Sequence, residues 1–195
     1  RANSTGTANA FFGKSAGYAN TTGNYNTFVG GSAGAANTTS TGNTLIGFQA
    51  GQANTTGAQN TFSGINSGYT NTTGGNNSFY GTNAGYFNTA NNNVFFGSYS
   101  GYNNSTGASN TFSGSGTGQL NTTASNNTLF GYGAGGILTT GGTNTMIGSG
   151  ANASSATLTG TIALGYGATA TQNNEFALPD GIDFLRFKLL TGFIG

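Results

Sequence analysis

The chain has no cysteine, no histidine and no tryptophan, a single proline, and only seven charged side chains among 195 residues. Without cysteine there is no disulfide framework, thiolate nucleophile or thiolate metal site, and without histidine the commonest acid–base and metal-ligating group is missing. The charges are Arg1, Lys14, Glu175, Asp180, Asp183, Arg186 and Lys188, so the 160 residues from Ser15 to Asn174 carry none. Four cations split between the two ends of the chain offer no electrostatic source for gripping a phosphate backbone, and nucleic acid is not expected as a partner. No apolar run approaches the roughly 18 to 20 residues that span a bilayer. The densest, Phe184 to Gly195, is too short and contains Arg186 and Lys188, so membrane insertion is not expected. Catalysis would have only Glu175, Asp180 and Asp183 to draw on, next to Arg186 and Lys188, where ion pairing between subunits is the plainer reading. No glycine-rich stretch leads into the lysine and helix that a phosphate site requires. The expectation is a protein without enzymatic activity, cofactor or metal. The chain opens at Arg1 without a signal-like segment, which predicts a processed product or an excised fragment.

What the chain does have is 37 Gly, 28 Asn and 33 Thr, about half of all positions. Leu, Ile, Val and Phe together supply 34 residues, below the usual fifth for a folded chain. Disorder, however, normally accompanies high net charge and few aromatics, whereas here the net charge is +1 with 15 Phe and 9 Tyr. The composition fits a repetitive, uncharged, aromatic-bearing structure.

The repeat has a period of 17. Asn, a mostly small residue, an apolar residue, a variable residue and Gly recur from Asn9–Gly13 through Asn26–Gly30, Asn43–Gly47, Asn60–Gly64 and Asn77–Gly81. After one unit of 16 the series resumes at Asn93–Gly97 and continues through Asn110–Gly114, Asn127–Gly131 and Asn144–Gly148 to a degenerate copy ending at Gly165. Between copies runs a small residue followed by Gly, as in Ala16-Gly17 or Ser67-Gly68, and Asn-Thr-Thr recurs at Asn20, Asn37, Asn54, Asn71 and Asn121. Two or more glycines per unit would each cost a helix about 1 kcal/mol. Short strands joined by tight corners fit instead, with Asn and Gly supplying left-handed backbone and Thr, Phe, Ile and Tyr the strands. Stacked coils at about 4.8 Å predict a parallel β-solenoid of about ten 17-residue coils, a rod on the order of 48 Å long.

Alternation along the strand assigns the faces. The column two before the corner Gly, Phe11, Phe28, Leu45, Phe62, Phe79, Phe95, Phe112, Leu129 and Met146, is read as the interior. The column just before Gly, including Phe12, Val29, Ile46, Tyr80, Phe96, Phe130, Ile147 and Leu164, must then point outward although it is mostly apolar. A thin rod with so little core and a greasy flank predicts burial against other chains, most simply as a parallel homotrimer. The two columns could exchange roles, with the Phe ladder facing the partner.

Units such as Asn26-Thr-Phe-Val-Gly30 followed by Ser-Ala-Gly and Asn37-Thr-Thr, and the tail copy Thr161-Ile-Ala-Leu-Gly-Tyr-Gly-Ala168, resemble the head repeats of trimeric autotransporter adhesins. They are at least as similar to repeats of phage tail fibres and related bacterial fibre proteins. The segment Asn173-Asn-Glu-Phe-Ala-Leu178, with Asp180-Gly and Phe184-Leu-Arg-Phe187, resembles the stretch that in such fibres precedes a self-cleaving intramolecular chaperone. The resemblance spans about residues 9–187. It implies an all-β, left-handed β-roll type of solenoid, a homotrimer, and an extracellular place on a virion tail fibre or a bacterial cell surface. It implies attachment to a host surface glycan or receptor, without saying which.

Five residues after the corner Gly stands a column containing Tyr18, Gln52, Tyr69, Tyr86, Tyr102 and Gln119. On an outward turn these rings and amides could stack on sugar faces and hydrogen-bond hydroxyls, and they are the candidate ligand-binding residues. A plain ladder supporting adjacent coils is the weightier reading. Stacked Asn amides are expected to bond along the rod, and the Asn-Thr-Thr matches to the N-glycosylation pattern are read as incidental to corner chemistry. Thr arrays on an uncharged face raise ice binding, but Asn37-Thr-Thr-Ser-Thr, Asn88-Thr-Ala-Asn and Leu138-Thr-Thr-Gly interrupt the rank. From Leu178 the pattern becomes densely apolar. The expected organisation is a solenoid domain over 1–170 and a capping or trimerising segment over 171–195. A fibre or adhesin module is the leading expectation, with a passive filament component or an ice-binding solenoid as alternatives.

Overall fold

Three-residue strands are all that a 17-residue unit with two obligatory corners can hold, and three is what forms. The computed structural model describes residues 4–180. Its strands are β1 (Ala10–Phe12), β2 (Thr27–Val29), β3 (Thr44–Ile46), β4 (Thr61–Ser63), β5 (Ser78–Tyr80), β6 (Val94–Phe96), β7 (Thr111–Ser113), β8 (Thr128–Phe130) and β9 (Thr145–Ile147). Towards the C-terminus follow β10 (Asn152–Ala153), β11 (Ile162–Leu164), β12 (Thr169–Ala170) and β13 (Phe176–Ala177). Eleven of them make one sheet in the order β1 to β9, β11, β13, and β10 pairs with β12 in a second. All pairings are parallel and in register, Phe11 on Phe28 and Phe28 on Leu45, for example. The protein is an all-β parallel solenoid of about ten coils, and no helix occurs among the described residues.

The 16-residue unit keeps this register, with Phe79 over Phe95. Its missing residue is absorbed in a turn: Asn71 Nδ2 donates to the carbonyl three residues on, Gly74 (2.9 Å), whereas Asn88 Nδ2 reaches the one two residues on, Ala90 (2.9 Å).

Two glycine columns are dictated by space as much as by dihedrals. Gly30 has φ +137° and a Cβ on it would lie 2.3 Å from the Gly47 carbonyl oxygen of the next coil. Gly34, from the Ala-Gly pair, has φ +54° and a Cβ there would lie 2.6 Å from the Phe28 ring of its own coil. Each coil is so thin that the interior ring presses directly on the opposite backbone. The left-handed non-glycine positions fall on the residue before the repeat Asn (Tyr25, Gln59, Asn76, Asn92) and on the second residue after the corner (Ser32, Gln49, Asn66, Asn83, Tyr99), not on the repeat Asn itself.

The interior column is buried as expected, from Phe28 through Met146, with Phe11 partly covered at the first coil. Ring centroids stack at 4.7 Å for Phe62–Phe79, 4.8 Å for Phe79–Phe95 and 4.9 Å for Phe95–Phe112, the strand spacing itself. The other core side chains are small or amide-bearing. Asn60, fully buried, accepts the Asn77 N–H (2.9 Å) and donates to the Gly74 carbonyl (2.8 Å), and its counterparts repeat this in coil after coil. These amides therefore join backbone to backbone. The amide-to-amide ladder belongs to the other column, where Asn37 donates to Asn20 (2.6 Å) and Asn121 to Asn104 (2.8 Å). It ends at Asn121, whose Oδ1 has no partner because the next coil places Leu138 there. At the C-terminal end Ala163 and Ala177 take over the Phe column, and Leu138 and Leu158 fill the narrowing core.

Candidate functional site

The Asn-Thr-Thr asparagines Asn20, Asn37, Asn54, Asn71 and Asn121 are wholly buried, with side-chain nitrogens committed to core carbonyls or neighbouring amides. None offers its amide to a glycosyl transfer. Their first threonines point the hydroxyl at the next coil, Thr38 Oγ1 to the Thr55 carbonyl (3.2 Å) and Thr55 Oγ1 to Thr72 (3.0 Å).

Three outward features remain. The first is the column before the corner Gly, on the outer side of the eleven-stranded sheet: Phe12 is 77% exposed, Phe96 58% and Phe130 59%, with Val29, Ile46, Tyr80, Ile147 and Leu164 also exposed. Beside it, on the same face, runs a hydroxyl column of Thr27, Thr44, Thr61, Ser78, Thr111, Thr128 and Thr145, interrupted by Val94. Sequence reasoning looked for a threonine rank in the Asn-Thr-Thr turns; strand alternation could have found this one.

The second feature is the ring-and-amide column. Tyr69 and Tyr86 stack at 4.9 Å, Tyr86 and Tyr102 lie 5.3 Å apart at 31°, and Phe87 stands edge-on to both Tyr86 and Tyr102. The face of each middle ring is therefore taken by its neighbour, and what remains open is edge and hydroxyl. Burial, then the nearby phenols of Tyr69 and Tyr102, pushes the Tyr86 hydroxyl above its ordinary pKa. Tyr18 stands apart and exposed; Gln52 is half-buried, its Oε1 covered and without a partner.

The third feature lies where that ladder stops. Beyond Tyr102 the column continues as Gln119 and Gly136, and the missing rings leave an open cleft of about 320 Å³ between Tyr99 and Tyr132. Ser115, Gly116, Gln119, Gly133 and Gly136 complete its lining. Tyr99 lies against Tyr102 (5.4 Å between centroids), so the cleft is continuous with the ladder. Of the six ladder candidates only Gln119 enters it; Tyr99 was missed because its turn position carries Ser, Asn, Gln or Gly in the other coils, and Tyr132 because its position varies from coil to coil, as in Lys14, Gly31, Phe48, Ile65 and Ser98.

The carboxylate at the described C-terminal end is structural: Glu175 accepts the Thr171 and Gln172 amides and the Thr171 hydroxyl, which holds its pKa below the usual range. Among the described residues no cluster of His, Cys, Asp or Glu could hold a metal, and no helix is long and apolar enough to cross a membrane. The suggested capping segment is described only as far as Asp180; Asp183, Arg186, Lys188 and the apolar run after Ile182 lie outside the described residues. Compared with protein-family models, with curated proteins and with solved structures, the chain matches none.

Proposed function

We propose that this chain is a non-catalytic fibre or adhesin module that assembles with parallel copies of itself, most simply three, and presents a repeated outer surface for attachment to a cell or its glycans. The observation that carries the reading is the outward apolar column of the sheet, eight large side chains in line on one face. Ser63 and Ser113 interrupt the column, but an exposed apolar strip of this kind is what a monomer avoids and an interface uses. Parallel assembly puts each coil of one chain level with its equivalent in the others, so a weak contact made once per coil is repeated along the fibre, and avidity exceeds single-site affinity. The absence of charge over 160 residues suits close lateral packing and favours neutral partners. An extracellular setting, on a virion fibre or a bacterial surface, follows from the same reading.

Light scattering over a dilution series should return three chains of 19.4 kDa each, and the double variant Phe96→Ser/Phe130→Ser should return one. A wild-type mass of one chain at every dilution overturns the assembly. A second reading, ice binding, is favoured by the hydroxyl column of the sheet face, whose parallel register sets Thr27, Thr44 and Thr61 level with one another in successive coils. Thermal hysteresis without glycan binding would select it, and silence in both assays would select a passive filament component.

A further inference from the structure

The cleft between Tyr99 and Tyr132 is built differently from the rest of the rod. Six coils fill the second position after the corner with a residue that bears a side chain, but Gly116, Gly133, Gly150 and Gly167 stand there in four successive coils. A Cβ on Gly133 would meet no atom within 4 Å, so its glycine leaves open space that a side chain would fill. The coil before these four places an aromatic at the same position: Tyr99, at φ +57°. A bulky side chain in left-handed backbone is strained, and nothing in the core requires it, since Ser, Asn and Gln occupy the equivalent sites. Tyr132 is 72% exposed and flanks the other side.

Tyr99 and Tyr132 are contributed by coils two apart, hence about 9.6 Å along the axis. One saturated six-membered ring in van der Waals contact on both sides, at about 4 Å each, needs a gap of roughly 8 Å. Between the two tyrosines neither the Gln119 amide nor the Ser115 hydroxyl makes a side-chain hydrogen bond among the described residues. Both a donor and an acceptor are therefore free to meet ring hydroxyls. The nearest formal charges in sequence are Lys14 and Glu175, so an acidic ligand gains nothing here.

We propose that this cleft is a carbohydrate subsite for a neutral hexopyranose, its apolar faces held by Tyr99 and Tyr132 and its hydroxyls by Gln119 and Ser115. The proposal rests on the glycan-attachment reading above and gives it a ligand class and a location. The volume stands at the lower end of the range for small-molecule sites, about 300–1,000 Å³, which suits one sugar unit at the end of a chain.

The test uses the full chain in its native assembly state. Saturation-transfer NMR is run with methyl glycosides of glucose, galactose, mannose and N-acetylglucosamine and with sialic acid as the acidic control, and an array of immobilised glycans is read in parallel. The expected result is transfer to at least one neutral glycoside, weakened tenfold or more by Tyr132→Ala and by Gln119→Ala, and unchanged by Tyr166→Ala, which removes an exposed ring outside the cleft. Both cleft substitutions are at outward positions, and an unchanged melting curve verifies the fold. Neutral binding that survives both substitutions, or preference for sialic acid, overturns the cleft and leaves glycan attachment standing. If wild type binds nothing in solution or on the array, the attachment reading falls, and the cleft with it.

Discussion

Thr143 sits at φ +59°, a left-handed conformation that a β-branched residue adopts only under strain. Equivalent positions in other coils are Asn76, Asn92 and Asn126, a residue type that tolerates this backbone. Thr143→Asn is therefore expected to stabilise the chain by about 0.5–1 kcal/mol, read as a higher denaturation midpoint. The repeat asparagines behave in the opposite sense. Asn60→Ala would leave the Asn77 N–H and one of the interactions of the Gly74 carbonyl without the side chain that now links them, in a fully buried setting. The expected loss is about 3 kcal/mol, visible in equilibrium unfolding; a loss below about 0.5 kcal/mol would mean that water replaces the amide. Half of this chemistry was legible beforehand: that Asn and Gly recur for corner reasons, but not that the repeat Asn bonds to backbone while its predecessor takes the left-handed turn. Such partners are set by which atoms of the next coil come within 3 Å, and a period alone does not give that.

A strand of three residues has no stability of its own; each is held by the coils on either side and by the ring beneath it. The corner and the Ala-Gly turn are the elements that make this stacking possible, and their sequence signature was readable because glycine is required both by dihedral and by contact. At the C-terminal end the turn over Thr171–Glu175 is fastened by a carboxylate. Its folded pKa is held low by the Thr171 and Gln172 amides, so this stabilisation is complete above the unfolded Glu value and is lost as the pH falls through the folded one. NMR should show the Thr171 and Gln172 amide shifts titrating together below the ordinary Glu range, and Glu175→Gln should abolish the titration. The Tyr69–Tyr86–Tyr102 element, read from sequence as an outward ladder, is a stack whose neighbours occupy each other's faces. Its end, not its length, makes the cleft, and a column of letters does not show that the gap left by Gln119 and Gly136 is flanked by two other rings.

Across the whole molecule the coils are interchangeable to the extent that register survives a change in number. Nature has already shortened one unit by a residue without disturbing the Phe79–Phe95 pairing. Excision of residues 27–43, one complete unit from β2 to the Asn before β3, should therefore leave a cooperatively folded rod shorter by about 4.8 Å, measurable by X-ray scattering. Aggregation of that variant would show that the coils are not equivalent.

The sequence by itself determined the solenoid, its period, its parallel register and its two alternating columns, because a repeat that returns Gly and Phe at fixed spacing leaves one way to stack strands that alternate every second residue; that the Phe column is the inward one was decided by the structure. It determined as well what chemistry is missing, since no fold can supply charges, thiols or imidazoles that the chain does not contain. Only the tertiary structure decided which amides bond to which backbone, which asparagines are sealed in the core, and that Tyr99 and Tyr132 flank one hollow. Those outcomes depend on distances between residues of different coils, and a linear pattern fixes the order of such residues without fixing the space between them.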